Sequence, residues 1–508
     1  MQKLKNVAAV LLTLALLFGT LAGCGSEPQD DNDAQPKRDE ISVCLAQDIN
    51  DSLDPHLMTS AVSRSVLFNV FEGLVKPTPE GHLIPAVASG FTISESGDTF
   101  TFTLREGIKF HNGDPVTADD IVYSISRVAG FDTGTPLISA FSIVGTVTAE
   151  SSDTVVIRTS EPNIEFLAFL TAAILPRGYD EQATEPIGTG PYKYVSRSPQ
   201  ENIILERFDD YWGGPANIGR VTFRILDNTE ALMMALRGGT IDVCPNLMVN
   251  QMAELQGRGY NFEIGTMNLV QAVYLNNEVP PFDNIEVRRA LSHAINREEI
   301  MEVLADGLGV PLGSSMYPAF TKYFTPGLVD LYEFDVDKAR ALLAQAGYPD
   351  GFDMEIVAPS NHQPHVDTAT VVVGQMQAVG VNATIRLVEW STWLSDIYTA
   401  REFQTTIVGV DASAMTARTM YERFTTGNSR NFTNFSDEEF DAVFAAAIAA
   451  TNDVEQTHLY KQLELILADR AANLYIQDLC DIVAINEDIS GFVFYPQYVL
   501  DLARLRFN

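Results

Sequence analysis

Residues 98–129 read DTFTFTLREGIKFHNGDPVTADDIVYSISRVA. Phe100, Phe102 and Leu104 alternate with Thr101, Thr103 and Arg105, the two-residue period of a strand with one buried face. HNGD supplies a turn. Thr117 then stands where a helix N-cap belongs, and Asp120, three residues on, is placed to return the hydrogen bond as the capping acid. A strand feeding a helix through a short turn predicts a chain that mixes the two element types.

The pattern continues outward from that unit. DDYWGGPANIGRVTFRILDNTEALMMALRGGTIDV (209–243) reads as a loop, a strand at Val221–Leu226, a helix from Thr229 that stops at Gly238 and Gly239, and a short strand at Ile241–Val243. VRRALSHAINREEIMEVLADG (287–307) places Leu291, Ile295, Val303 and Leu304 at helical spacing and ends on Gly307. DVDKARALLAQAG (335–347) is a helix capped by Asp335 and stopped at Gly347, and SDEEFDAVFAAAI (436–448) starts one with Ser436 and Glu439 as a capping box. No internal repeat is visible, so periodicity yields an α/β body of more than one lobe.

The 508 residues are 46% hydrophobic, enough for two or three cores of ordinary domain size. The net charge of −34 would repel phosphate backbones, which excludes nucleic acid as a partner and otherwise reads as a solvated surface. At the N-terminus Lys3 and Lys5 precede 17 residues, Val7 to Gly23, without a charge. That is a secretory leader, short for a membrane span. Leu21, Ala22, Gly23 and Cys24 match the lipobox of bacterial lipoproteins, so residues 1–23 are expected to be a signal peptide and Cys24 the lipidated first residue of the mature chain. Each buried methylene of such an anchor contributes ~0.8 kcal/mol, so two or three acyl chains hold the protein on the membrane. Residues 24–40, with no large apolar side chain after Cys24, read as a flexible tether. Cys44, Cys244 and Cys480 remain; one disulfide is open to them, and buried free thiols are the favoured reading in the absence of a CxxC or Cys/His cluster.

Seven stretches, in order, resemble the extracytoplasmic solute-binding proteins of ABC importers, the family 5 class that takes dipeptides, oligopeptides or nickel. They are LDPHL (53–57), NVFEGLVKPTPEGHLIPAVASGF (69–91), FTFTLREGIKFHNGDPVTADDIVYSISR (100–127), PIGTGPYKYV (186–195), DDYWGGPANIGRVTFRI (209–225), PPFDNIEVRRALSHAINREEI (280–300) and DVDKARALLAQAGYPDGF (335–352). The resemblance covers about 41–508. It implies an α/β, two-lobed, periplasmic-binding-protein-like fold (type II, large cluster C form) with an extra subdomain in lobe I. By that analogy lobe I is 41–267 plus 489–508 and lobe II is 268–488. It also implies a monomer that closes on a peptide-like solute and delivers it to permease and ATPase subunits, with neither a catalytic group, a cofactor nor a metal of its own. The glycines of GTGPY and YWGG lack the setting of a nucleotide loop and are read as backbone glycines.

The resemblance also implies where solute sits. The segment after the first strand lines one wall in peptide-binding relatives, here Ala46, Gln47 and Asp48. A loop after a lobe II strand, reading Gly-Trp and then an aspartate that pairs with the ligand amine, lines the other. Here Val410 replaces the tryptophan, Ser413 falls nearest the aspartate position, and Asp411 lies two residues earlier in VGVDASAMTARTMYERF (408–424). Removing the partner of a buried ammonium costs ~3 to 5 kcal/mol, so either Asp411 reaches the site or the ligand is not a plain free-amine dipeptide. Arg418 is available for a carboxylate, as in the hydroxyl-rich loop of glutathione-binding relatives. Trp390, Trp393 and Tyr421 are candidate aromatic contacts, although core packing is the commoner use of an i, i+3 pair. His362 and His365 have metal-like spacing, but Pro364 between them argues for a surface loop. Chelated nickel is the second ligand class and oligosaccharide the third. An exported hydrolase is the rival class; GxSxG, HExxH and SxxK are all missing from the sequence.

Overall fold

The computed structural model describes residues 38–411 and 416–508; Cys24, the leader and Ser413 lie outside the described residues. The lobe I sheet has seven strands in the order Tyr260–Thr266, Cys480–Asn486, Val243–Cys244, Glu40–Leu45, Arg220–Ile225, Asn202–Arg207 and Tyr192–Ser198. Its central strand, Glu40–Leu45, runs parallel to both neighbours, in register Ile41 to Val221 and Val43 to Val243. Ile41, Val43 and Leu45 face one apolar core, while Cys44 faces another with Leu236, Cys244 and Ile482. Both faces of the strand are thereby dry, which is why it carries so few polar side chains.

Inserted in lobe I is a subdomain: a four-stranded antiparallel sheet (Ala88–Ile93, Thr99–Leu104, Thr154–Thr159, Val144–Ala149) covered by the helix Ala118–Ala129. Phe100 and Phe102 are buried as their alternation requires, and the Thr117–Asp120 capping box forms in both directions.

Lobe II holds a six-stranded sheet in the order Val310–Pro311, Asn473–Asp478, Leu269–Leu275, Thr405–Asp411, Asp353–Pro359 and Asn382–Val388. Val270, Ala272 and Tyr274 enter the core on one face, and Val273 and Leu275 the core on the other. The three strands Asp353–Pro359, Asn382–Val388 and Thr405–Asp411 run parallel, so their C-terminal ends lie at one edge of the lobe. Among the described residues, no helix is long and apolar enough to cross a membrane.

Three expectations need correction. Strand Cys480–Asn486 pairs with Tyr260–Thr266 in lobe I, so the chain returns at Leu479 and not near residue 489. The apolar run NLYIQDLCDIVAIN is locally continuous, and only its pairing partners reveal that it changes sheets. The stretch 287–307 is two helices, Ile285–His293 and Arg297–Ala305, because Asn296 leaves the helix to cap the second through Glu299 N at 3.0 Å; Val303 is left exposed. The helix Glu438–Ala449 is capped by Asp437, whose Oδ1 accepts from Phe440 N at 2.9 Å, whereas the Ser436 hydroxyl meets Thr426. Cys44 and Cys244 are buried free thiols side by side, and Cys480 is a half-buried one.

The cap assignment separates two variants. Asp437→Ala is expected to lower stability by about 1 kcal/mol or more, from the lost cap and the lost Arg470 pair, and Ser436→Ala by less than about 0.5 kcal/mol. Urea midpoints check this, and equal costs would contradict the cap.

Candidate functional site

Between the two lobes lies a cavity of about 1110 Å³. The lobe I wall comes from the loop Pro55–Thr59, the helix Ala61–Leu67 with Phe68 and Phe71, the pair Tyr211 and Trp212, and the segment around Tyr495–Arg504. The subdomain adds Leu137–Ala140 and Phe169. Lobe II contributes Asp411, Arg418, Thr419, Glu422 and the turn Asn428–Arg430.

Buried polar contacts hold the lobe I wall. Asp54 grips Arg127 through two hydrogen bonds, 3.0 and 2.6 Å, and Arg127 donates to His56 Nδ1 while His56 Nε2 donates to the Ala173 carbonyl at 2.8 Å. Burial pushes the His56 ring down to about 4, so it stays neutral and accepts the Arg127 bond. LDPHL thus fixes the loop that lines the cavity. Asn69, fully buried, donates to Leu500 O and accepts from Leu502 N, which ties the C-terminal segment to the wall. Glu72 accepts from Lys76 (2.9 Å), Tyr211 OH (2.6 Å) and Trp212 Nε1 (2.6 Å). Lys76 and Arg105 cover the Trp212 ring at 4.6 and 3.8 Å, so the indole is clamped. A Cβ on Gly188 or Gly190 would sit 2.1 or 2.6 Å from the carbonyls of Val70 or Asn69; GTGPY is glycine-rich because its backbone crosses directly against the wall.

The lobe II wall is differently built. Asp411 ends strand Thr405–Asp411 with an exposed carboxylate that has no hydrogen-bond or ion-pair partner among the described residues. Arg418 starts the short helix Arg418–Tyr421, its Nε 4.0 Å from Glu422. Across the cavity, the Arg64 guanidinium makes, among the described residues, a single long contact, 3.4 Å to Thr59 O. A carboxylate and two weakly engaged guanidiniums therefore border one cavity.

Residues 82–432 match the family described as bacterial extracellular solute-binding proteins, family 5 Middle. The chain belongs to that family. It is 26% identical over 465 residues to heme-binding protein A of Haemophilus influenzae, covering 81% of this chain and 82% of that protein. It is 26% identical over 491 residues to the dipeptide-binding protein of Escherichia coli, covering 88% and 90%. The solved structure of HbpA2 from Haemophilus parasuis superposes with a TM-score of 0.81 at 25% identity, over 92% of this chain and all of that one. As a family 5 solute-binding protein it has the two-lobed, type II architecture expected, and its family works outside the cytoplasm.

In this family 5 protein the expected contact residues divide sharply. Asp411 and Arg418 face the cavity. Ala46 and Gln47 are exposed away from it, and buried Asp48 instead accepts from Arg197 (3.2 and 2.8 Å), Gln200 N (2.9 Å) and Ile49 N (2.8 Å), bracing the sheet edge. Trp393 is core, with Nε1 donating to Thr406, and Trp390 stacks parallel on it at 4.9 Å outside the cavity wall. Tyr421 is fully buried behind the wall, stacked on Tyr460. Nor do His362 and His365 share a surface loop: His365 is a buried member of helix Gln363–Ala378, bonded to Gln271 and Gly409 N. Among the described residues no group of three or more His, Cys, Asp or Glu converges on a metal site. Arg64, Trp212 and the Tyr495–Arg504 segment were not singled out as wall residues; YWGG was visible, but only as a backbone motif.

Asp48→Asn strands part of the Arg197 guanidinium. It is expected to cost about 3 kcal/mol in urea unfolding while leaving ligand affinity within about twofold. A large affinity loss at unchanged stability would return Asp48 to the binding site.

Proposed function

We propose that this chain captures a short peptide or related amino-acid-derived molecule between its lobes and presents it to an ABC permease, held on the membrane by lipid at Cys24. The observation that carries this reading is the placement of the Asp411 carboxylate, without a partner among the described residues, in the same cavity as Arg64 and Arg418. A zwitterion satisfies both signs at once: its ammonium meets Asp411 and its carboxylate a guanidinium, with the bidentate geometry that arginine favours. The aromatic and aliphatic remainder of the wall suits side chains of varied size. At about 1110 Å³ the cavity is slightly larger than the usual range of small-molecule sites, ~300–1000 Å³, so it takes a peptide of a few residues with accompanying water. The dipeptide-binding relative supports the same class.

Transport follows from population shift. A solute that touches both walls stabilises the closed arrangement by the contacts it gains there, and a solute touching one wall shifts nothing. Micromolar affinity, ~8 kcal/mol, captures dilute solute and still permits release.

Two measurements check the proposal. In calorimetric titrations against a panel of di- and tripeptides, at least one binds with micromolar affinity, and Asp411→Asn weakens it at least about tenfold, or ~1.4 kcal/mol; no response across the panel contradicts the peptide assignment. In fractionated cells, Cys24→Ala moves the protein from the membrane to the soluble fraction, and retention on the membrane contradicts the lipid anchor.

A further inference from the structure

One turn of lobe I is plugged into lobe II. Segment Ile164–Thr171 belongs to the subdomain, where Phe166 and Leu170 are core. Its Ala168 packs instead into the lobe II core that contains Tyr421 and Tyr460, and Phe169 borders the cavity together with Asn163, which precedes the segment. Between these positions Glu165 points into lobe II and is buried. Its carboxylate accepts hydrogen bonds from the Thr416 hydroxyl, the Tyr460 hydroxyl and, at 3.4 Å, the Arg418 backbone N–H. All three donors come from lobe II. Thr416 Oγ1 in turn accepts from Arg418 N at 3.1 Å, so the carboxylate organises the turn that launches Arg418 into the cavity.

We propose that Glu165 is an interlobe latch and a positioning residue: its carboxyl group joins the lobes only when they are shut, sets the balance between open and closed forms, and places Arg418 for the solute. The inference rests on the closure described above. Swinging the lobes apart as rigid bodies removes all three donors together and returns the carboxyl group to water.

That exchange has a proton signature. The charged and titratable groups facing Glu165 are Arg418 on the lobe II turn after Thr416, Tyr460 on helix Asp453–Asp469, and Tyr323, whose ring meets that of Tyr460 edge-on at 5.5 Å. Burial pushes both phenols up, so they stay protonated and Tyr460 remains a donor. Burial also raises the Glu165 carboxyl above its ordinary value, against the pull of Thr416, Tyr460 and Arg418. In the open form the hydrated group returns to the ordinary carboxylate range. The closed form thus binds the proton more tightly, and closure is favoured as pH falls through the window between the two values. A single proton limits the change to about tenfold per pH unit.

The test combines small-angle scattering of ligand-free protein with peptide titrations between pH 5 and 8, on the wild type, Glu165→Gln and Tyr460→Phe. Circular dichroism establishes that each variant is folded. For the wild type, the radius of gyration shrinks and peptide affinity rises toward pH 5. Glu165→Gln, permanently neutral, abolishes the pH dependence of both quantities, and Tyr460→Phe weakens affinity severalfold at pH 5 without altering peptide preference. A wild-type pH slope retained in Glu165→Gln, or absent from the wild type, overturns the latch. If peptide compacts the wild type while the variants behave identically to it, the latch fails and the transport reading stands. If no peptide binds but the ligand-free pH profile is abolished by Glu165→Gln, the transport reading fails and the latch stands.

Discussion

Everything in this molecule depends on the chain crossing twice between its two sheets within a few residues. Met267 and Asn268 separate strand Tyr260–Thr266 of lobe I from Leu269–Leu275 of lobe II, and Leu479 alone separates Asn473–Asp478 from Cys480–Asn486. The crossings are bound to each other: Met267 N donates to Leu479 O at 2.8 Å and Leu269 N to the buried Asp478 carboxylate at 3.1 Å. Asn268 adopts a left-handed backbone (φ 59°) and its amide reaches Tyr495 O. Such short paired links leave the lobes little freedom except rotation about the crossings, and that is the motion a cleft needs to open and shut.

The polar groups around the cleft divide according to whether their hydrogen bonds are already made. Asp54, Glu72 and Asn69 are each engaged by their own lobe I partners and freeze the lobe I wall; their removal would leave buried partners unmatched. Asp411 and Arg64 retain capacity, and a solute can satisfy it. Preorganised walls with a few unspent charges give specificity at low entropic cost, because little has to be ordered on binding. The large negative net charge plays no part in this selection: the cavity presents both signs, while the excess carboxylates lie mostly on the surface in water.

What was legible in the sequence is what local chemistry decides. The alternation over 99–104, the Thr117–Asp120 box and the Asp335 cap are set by neighbours three or four residues away, and each stands where its pattern puts it. The switch of sheets at Leu479 depends on which strand lies alongside, and nothing in NLYIQDLCDIVAIN announces it. Asp437 and Ser436 are both competent caps, and Asp437 is the one that also pairs with Arg470 at the end of the next helix. At the cavity, Asp411 and Arg418 were found through a resemblance in one loop. Asp48, Trp393 and His365 have chemistry that would suit a ligand but spend it on Arg197, Thr406 and Gln271, partners invisible until the chain is folded. Glu165 had no sequence signal at all, since its partners are contributed by the other lobe.

The most direct measurement is a crystal structure of the protein with the solute it retains from its host. The account predicts density enclosed between the Asp411–Arg418 wall and the Phe68–Trp212 wall, touching both lobes. Density confined to one lobe or lying outside the cavity would contradict it.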